Sequence, residues 1–150
     1  MRFTSVRDYS TILKINKELV NTVVDTPVVI YKLHQQLTKT NSYGEATKKT
    51  WYVGVEVPAL IDRKGASTSQ EMQTLDVKQE AIFYFLRQEL VDRKVFPEQG
   101  DIIHFDAQYY EVHMAGESEL FAGRTEYKHM ISCECHLSRL TNLQLEPPTL

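Results

Sequence analysis

The hydrophobic pattern opens at a helical period and then switches to a period of two. Across Asp8 to Val24, Tyr9, Ile12, Leu13, Ile15, Leu19, Val20 and Val23 recur at roughly helical spacing. Lys14, Lys17 and Glu18 fall mostly on the other side, so the segment reads as an amphipathic helix. Asp25-Thr26-Pro27 ends it, because the residue before a proline is pushed out of the helical region. From there Val29, Tyr31 and Leu33 point one way, and Val28, Ile30, Lys32 and His34 the other, which predicts a strand. Thr38 to Thr50 is polar and long, and reads as a protruding loop. Trp51 to Ile61 alternates again, with Trp51, Val53, Val55, Val57, Ala59 and Ile61 on one apolar face and Pro58 marking an edge or a bulge.

Gly65 to Gln70 reads as a polar turn region. Leu75 to Leu86 looks extended, with Phe83 and Phe85 on one side and Ile82, Tyr84 and Leu86 on the other. Arg87 to Lys94 fits one or two helical turns with Leu90 and Val91 inward. Two strands, Asp101 to Asp106 and Tyr109 to Met114, are close enough for a hairpin. Gly116 to Gly123 reads as a turn region, and Lys128 to Leu140 as a last strand. One helix and about six strands joined by short turns predict a mainly β fold, an antiparallel barrel or sandwich with one N-terminal α-helix.

Composition narrows the picture. The 150 residues are one domain's length, with no linker or repeat to divide 1–150. At 42% hydrophobic and 25% charged the chain is globular in character, and its longest apolar run, Ala81 to Leu86, is far too short to span a bilayer. No apolar signal core follows Met1-Arg2-Phe3-Thr4-Ser5, so no secretory leader is expected. A net charge of −3 disfavours sequence-general binding of nucleic acid.

The candidate chemistry is sparse. His129, Cys133, Cys135 and His136 invite a zinc reading, but period two puts both cysteines on one strand face and His136 on the other. Two buried, reduced, metal-free thiols are therefore expected. His104 and His113 lie on neighbouring strands and could approach each other, without the spacing of a zinc protease. His34 stands apart. Asp101 and Asp106 read as turn residues, and no nucleophile elbow, phosphate loop or dinucleotide fingerprint occurs. Phe105, Tyr109, Tyr110 and Phe121 could stack bases on a barrel face, though Asp101, Asp106, Glu111, Glu117 and Glu119 around them would repel phosphates. No enzyme is expected, and no cofactor or metal.

A family resemblance adds a role. It is carried by Val29-Ile30-Tyr31-Lys32-Leu33, then Lys39-Thr40-Asn41-Ser42-Tyr43-Gly44-Glu45-Ala46, then Val55-Glu56-Val57-Pro58-Ala59-Leu60-Ile61-Asp62-Arg63. Phe83-Tyr84-Phe85-Leu86-Arg87-Gln88-Glu89-Leu90, Gly100-Asp101-Ile102-Ile103-His104-Phe105, Tyr109-Tyr110-Glu111-Val112 and His136-Leu137-Ser138-Arg139 follow in order. In this order and spacing the chain resembles the neck proteins of contractile-tailed bacteriophages. The resemblance covers about Ile12 to Leu143, while Gly116 to His129 matches nothing in it.

The resemblance implies a structural virion protein that completes the head and docks the tail. It implies a homo-oligomeric ring, six-fold favoured and twelve-fold the alternative, assembled in the host cytoplasm. The implied partners are a portal-side connector or other neck protein and a tail terminator, with no membrane, and DNA passing through the channel without specific binding. Tyr43, Gly44 and Glu45 are the candidate interface residues: Gly44 permits a turn with positive φ, and Tyr43 is a typical interface anchor. The plain alternative for Tyr43 is an ordinary exposed loop residue. For the whole chain the alternatives are a nucleic-acid-binding β-barrel module, a stopper or tail-completion (terminator) protein, and a small hydrolase with an unrecognised site.

Overall fold

A computed structural model describes residues 5–34, 38–40, 42–43, 46–65, 67–71, 74–120 and 123–138. Helix α1 (Val6–Glu18) starts two residues before the hydrophobic pattern does, because Ser5 caps it. The Ser5 hydroxyl accepts from the Asp8 N–H at 3.3 Å and the Asp8 carboxylate accepts from the Ser5 N–H at 3.1 Å, a reciprocal capping box. From Leu19 to Val24 the coil widens into a π-helix. It ends at Asp25, whose N–H donates to the Val20 carbonyl at 3.1 Å and whose φ of 42° turns the chain toward Pro27.

The strands are β1 (Pro27–Tyr31), β2 (Lys39–Thr40), β3 (Ala46–Lys48), β4 (Val55–Pro58), β5 (Leu60–Arg63), β6 (Ser67–Glu71), β7 (Thr74–Lys78) and β8 (Glu80–Leu86). A second helix, α2 (Arg87–Arg93), precedes β9 (Ile102–Phe105), β10 (Gln108–Leu120) and β11 (Lys128–Leu137). Seven strands form one antiparallel sheet in the order β4-β1-β9-β10-β11-β8-β5. Its two edge strands are consecutive in the chain, separated only by Ala59, whose N–H donates to the Thr26 carbonyl at 3.0 Å. One bent segment thus pairs with β1 on one side and with β8 on the other, and the sheet curls around its core. The fold is mainly β, antiparallel and barrel-like, with an N-terminal helix, as the change of period predicts.

The core is the inward face of that sheet: Val28, Ile30, Val57, Ala59, Ala81, Phe83, Phe85, Ile103, Tyr110, Val112, Ile131, Cys133 and Cys135. Leu90 of α2 and Val95 join them. Phe83 meets the edges of Tyr110 and Phe105 at ring separations of 5.4 and 6.3 Å.

Several expectations are corrected. Thr38 to Thr50 is no plain loop, because β2 and β3 pair within it as a short hairpin. Trp51 to Ile61 is not one strand: pairing begins at Val55 and breaks at Ala59, where the chain passes from β1 to β8. Gly65 to Gln70 holds β6, paired with β7, and Leu75 to Leu86 is two strands parted at Gln79. Gly116 to Gly123 is not a turn from its start, since β10 runs to Leu120 against β11 with three register shifts. Val91 is not inward but 45% exposed, because α2 offers the core only Leu90 and Glu89. The largest departure is in the first helix: α1 buries no residue, and Ile15 and Leu19 face outward with Val23 of the π-helix.

Candidate functional site

The 38–50 segment is a hairpin arm held at its base by a clamp. His34 donates its N–H to the Thr50 carbonyl at 2.7 Å, Leu33 bridges Trp51, and the Tyr52 N–H donates to the Lys32 carbonyl at 2.8 Å. The rings of His34 and Tyr52 stack at 4.2 Å. The Lys49 ammonium reaches Glu111 on the sheet at 2.8 Å.

Beneath the base lies Asp101, only 2% exposed. Its carboxylate accepts from the Leu33 N–H and the Glu98 N–H, each at 2.8 Å, and pairs with Lys32 at 2.9 Å. A buried carboxylate with two backbone donors and a cation has the partners such a charge requires. Asp101 is therefore a structural clamp. Asp106 is a turn residue with φ 51°, paired with Arg63 at 3.3 Å.

At the arm's tip Tyr43 is 90% exposed in a turn. Gly44 and Glu45 lie outside the described residues. The turn thus leaves the Tyr43 side chain open to solvent, while the base of the arm is tied to the body by the His34, Tyr52 and Lys49 contacts.

Cys133 and Cys135 both face the core from β11, free and buried. Burial pushes the Cys133 thiol up to about 12, and does the same in direction for Cys135. His136, on the outer face, lies 6.3 Å from His113 of the neighbouring strand β10. These two line a shallow groove of about 250 Å³ with Lys64, Glu80 and Glu134. His104 does not meet His113 but stacks on Tyr109 at 4.6 Å. Among the described residues no three of His, Cys, Asp and Glu are placed to hold a metal.

The aromatic platform does not assemble. Tyr110 is wholly inside the core while Tyr109 points out, Phe105 packs against the core under the Arg63 guanidinium, and Phe121 lies outside the described residues.

The sequence missed a polar joint between α1 and the body. Glu89 of α2 is 3% exposed, and its carboxylate accepts from Asn21 at 3.0 Å and pairs with Lys17 at 3.1 Å and Arg93 at 3.4 Å. Burial pushes this carboxyl up, but the Asn21 and Lys17 hydrogen bonds and the nearby cations outweigh it, so it stays below the usual range. Tyr9 stacks on Tyr127 at 4.4 Å and donates its hydroxyl to the Lys128 carbonyl. Asn16 meets His129 at 2.9 Å, and Val20 packs on Leu86 and Met130. The signal was present as two apolar columns rather than one: Tyr9, Leu13 and Val20 turn toward the body, Ile15, Leu19 and Val23 away.

No protein-family model matches the chain, and no curated protein matches it. Among solved structures, a chain from the virion of a native gene transfer agent particle is similar, at 14% identity and a TM-score of 0.47. The match covers 73% of this chain and 90% of that one. No helix among the described residues is long and apolar enough to cross a membrane.

Proposed function

We propose that this chain is a structural protein of a phage-type virion, placed in the neck, where a ring of copies completes the head and docks the tail. The observation that carries the reading is the clamped hairpin arm, which holds Tyr43 at 90% exposure beyond the barrel-like body. The same segment, Asn41-Ser42-Tyr43-Gly44-Glu45-Ala46, belongs with the closing His136-Leu137-Ser138-Arg139 to the combination that makes the sequence resemblance to contractile-phage neck proteins specific.

In this reading the body acts as a building block and not as an enzyme. Its partners are other copies in a six-fold ring, with twelve-fold the alternative, a portal-side connector or other neck protein, and a tail terminator. DNA passes through the channel, and a net charge of −3 suits a wall that must not grip phosphates. The test is cryo-electron microscopy of purified particles that carry the chain. Density for this fold on the tail axis between head and tail is expected, and a position off that axis overturns the reading.

A further inference from the structure

The barrel-like core is complete without the first helix, since it holds no residue before Val28. Helix α1 and the π-helix lie on the other face of the sheet, where Val20 packs on Leu86 and Met130 with Leu60 and Tyr84 beside them. The joint is small. α1 has no buried residue, Tyr9 and Leu13 are half-buried, and in the π-helix only Val20 is buried. Two buried polar atoms of the joint, Asn21 Oδ1 and His129 Nδ1, have no hydrogen-bond partner, which native interiors rarely tolerate. A segment with so few buried apolar contacts opens far more readily than the sheet beneath it.

The connection to the body is short and bent. Only Asp25 and Thr26 separate the π-helix from β1. Thr26 is fixed, because its carbonyl accepts from the Ala59 N–H at 3.0 Å. The turn from helix into sheet therefore rests on Asp25, which is left-handed at φ 42° and ψ 53°. A residue with a Cβ is strained there, and an extended Asp25 relieves the strain and carries the helix away from its own seat.

From these observations we infer that α1 with its π-helix is an element exchanged between copies: it swings out about Asp25 and docks on the same seat of a second copy of this chain. The occupant follows from the contacts described. The second copy offers the same Leu86 and Met130 to Val20, the same Glu89 and Asp92 to Lys17, and the same His129 to Asn16. Exchange keeps each of these contacts and changes only the hinge, so it adds a link between copies at little cost. A short hinge under strain is the feature that favours it. The inference goes beyond the neck reading and does not rest on it.

The test uses the full chain with its native sequence. Equal amounts of ordinary and isotopically heavy chain are concentrated together in urea below the unfolding transition, returned to buffer and coupled with a carbodiimide. This reagent joins an ammonium to a carboxylate in contact, and Lys17 lies 2.8 Å from Asp92. Mass spectrometry of the digest should find Lys17–Asp92 linked peptides with one ordinary and one heavy half. Asp25→Gly, which relaxes the left-handed hinge, should lower that mixed share about three-fold. Asp25→Val, whose branched Cβ suits an extended hinge, should raise it. Linked peptides that are all ordinary or all heavy overturn the inference, and so does a mixed share that Asp25→Gly leaves unchanged or raises. Mixed peptides from a chain found off the tail axis overturn the neck reading and leave the exchange standing.

Discussion

At the scale of single residues, the positions that fix the fold are small or inward-facing. Gly54 continues the β1–β4 register opposite Tyr31, and a Cβ there would stand 2.5 Å from Val29 Cγ1 and 2.8 Å from the Tyr31 ring. Tyr31 is 4% exposed and has nowhere to swing. Gly54→Ala should therefore cost about 1–3 kcal/mol, read as a lower urea midpoint at unchanged slope; an unchanged midpoint would show that the ring moves freely. Cys133 and Cys135 make a second case. A thiol held near 12 is almost never the reactive thiolate at pH 8. Both should resist alkylation in the native protein and react once it unfolds, and fast native labelling of either would contradict their burial. Period two alone placed this pair correctly, because a strand's alternation is a local rule.

At the scale of elements, the sequence was read well where a period decides and poorly where pairing or tertiary contact does. The strands from Val28 to Ile30, Ile82 to Phe85 and Met130 to Cys135 show the inward faces that alternation predicts. The β2–β3 hairpin and the far half of β10 were hidden, because polar residues with Gly116 among them look like turn chemistry until a partner strand is known. The orientation of α1 was hidden for a related reason: seven apolar positions fit two faces, and the choice rests on Glu89, 68 residues from Asn21. That carboxyl makes the joint sensitive to acid. Its folded value lies below the usual 4.5, so its contribution is complete above that pH and is lost as the pH falls through the lowered value. Asp8 at the cap is lowered too, by its Ser5 hydrogen bonds, and weakens in the same window. Amide protection of α1 should therefore fall below pH 4.5 before that of β8 and β11. Glu89→Gln should reduce α1 protection already at pH 7, by about 1–2 kcal/mol, and should flatten its acid dependence. Equal acid loss in parent and variant would mean that Glu89 does not hold the joint.

At the scale of the whole molecule, the proposed role joins the barrel-like body to the arm that carries the exposed Tyr43. Two consequences separate a conduit subunit from a nucleic-acid-binding barrel. With a charge of −3 and no assembled aromatic face among the described residues, the chain should retain duplex DNA weakly at moderate salt, without the steep salt dependence of true phosphate binding. Tight, salt-steep binding would move it to the second class. The arm gives the sharper case. Tyr43 stands outside the core, so Tyr43→Ala should leave the urea unfolding curve of the isolated chain unchanged. As a buried anchor between copies it should cost assembly about 2 kcal/mol, close to a thirty-fold loss in association per contact. Thr47→Ala, in the same arm, should do little to either. Gly44→Val should impair assembly as Tyr43→Ala does if the turn needs a positive φ there. Because a closed ring makes the same contact at every junction, a loss that is modest for one pair multiplies around the circle. The Tyr43→Ala chain should therefore fail to form rings at concentrations where the parent does. A variant that assembles like the parent would reduce the arm to a surface connection.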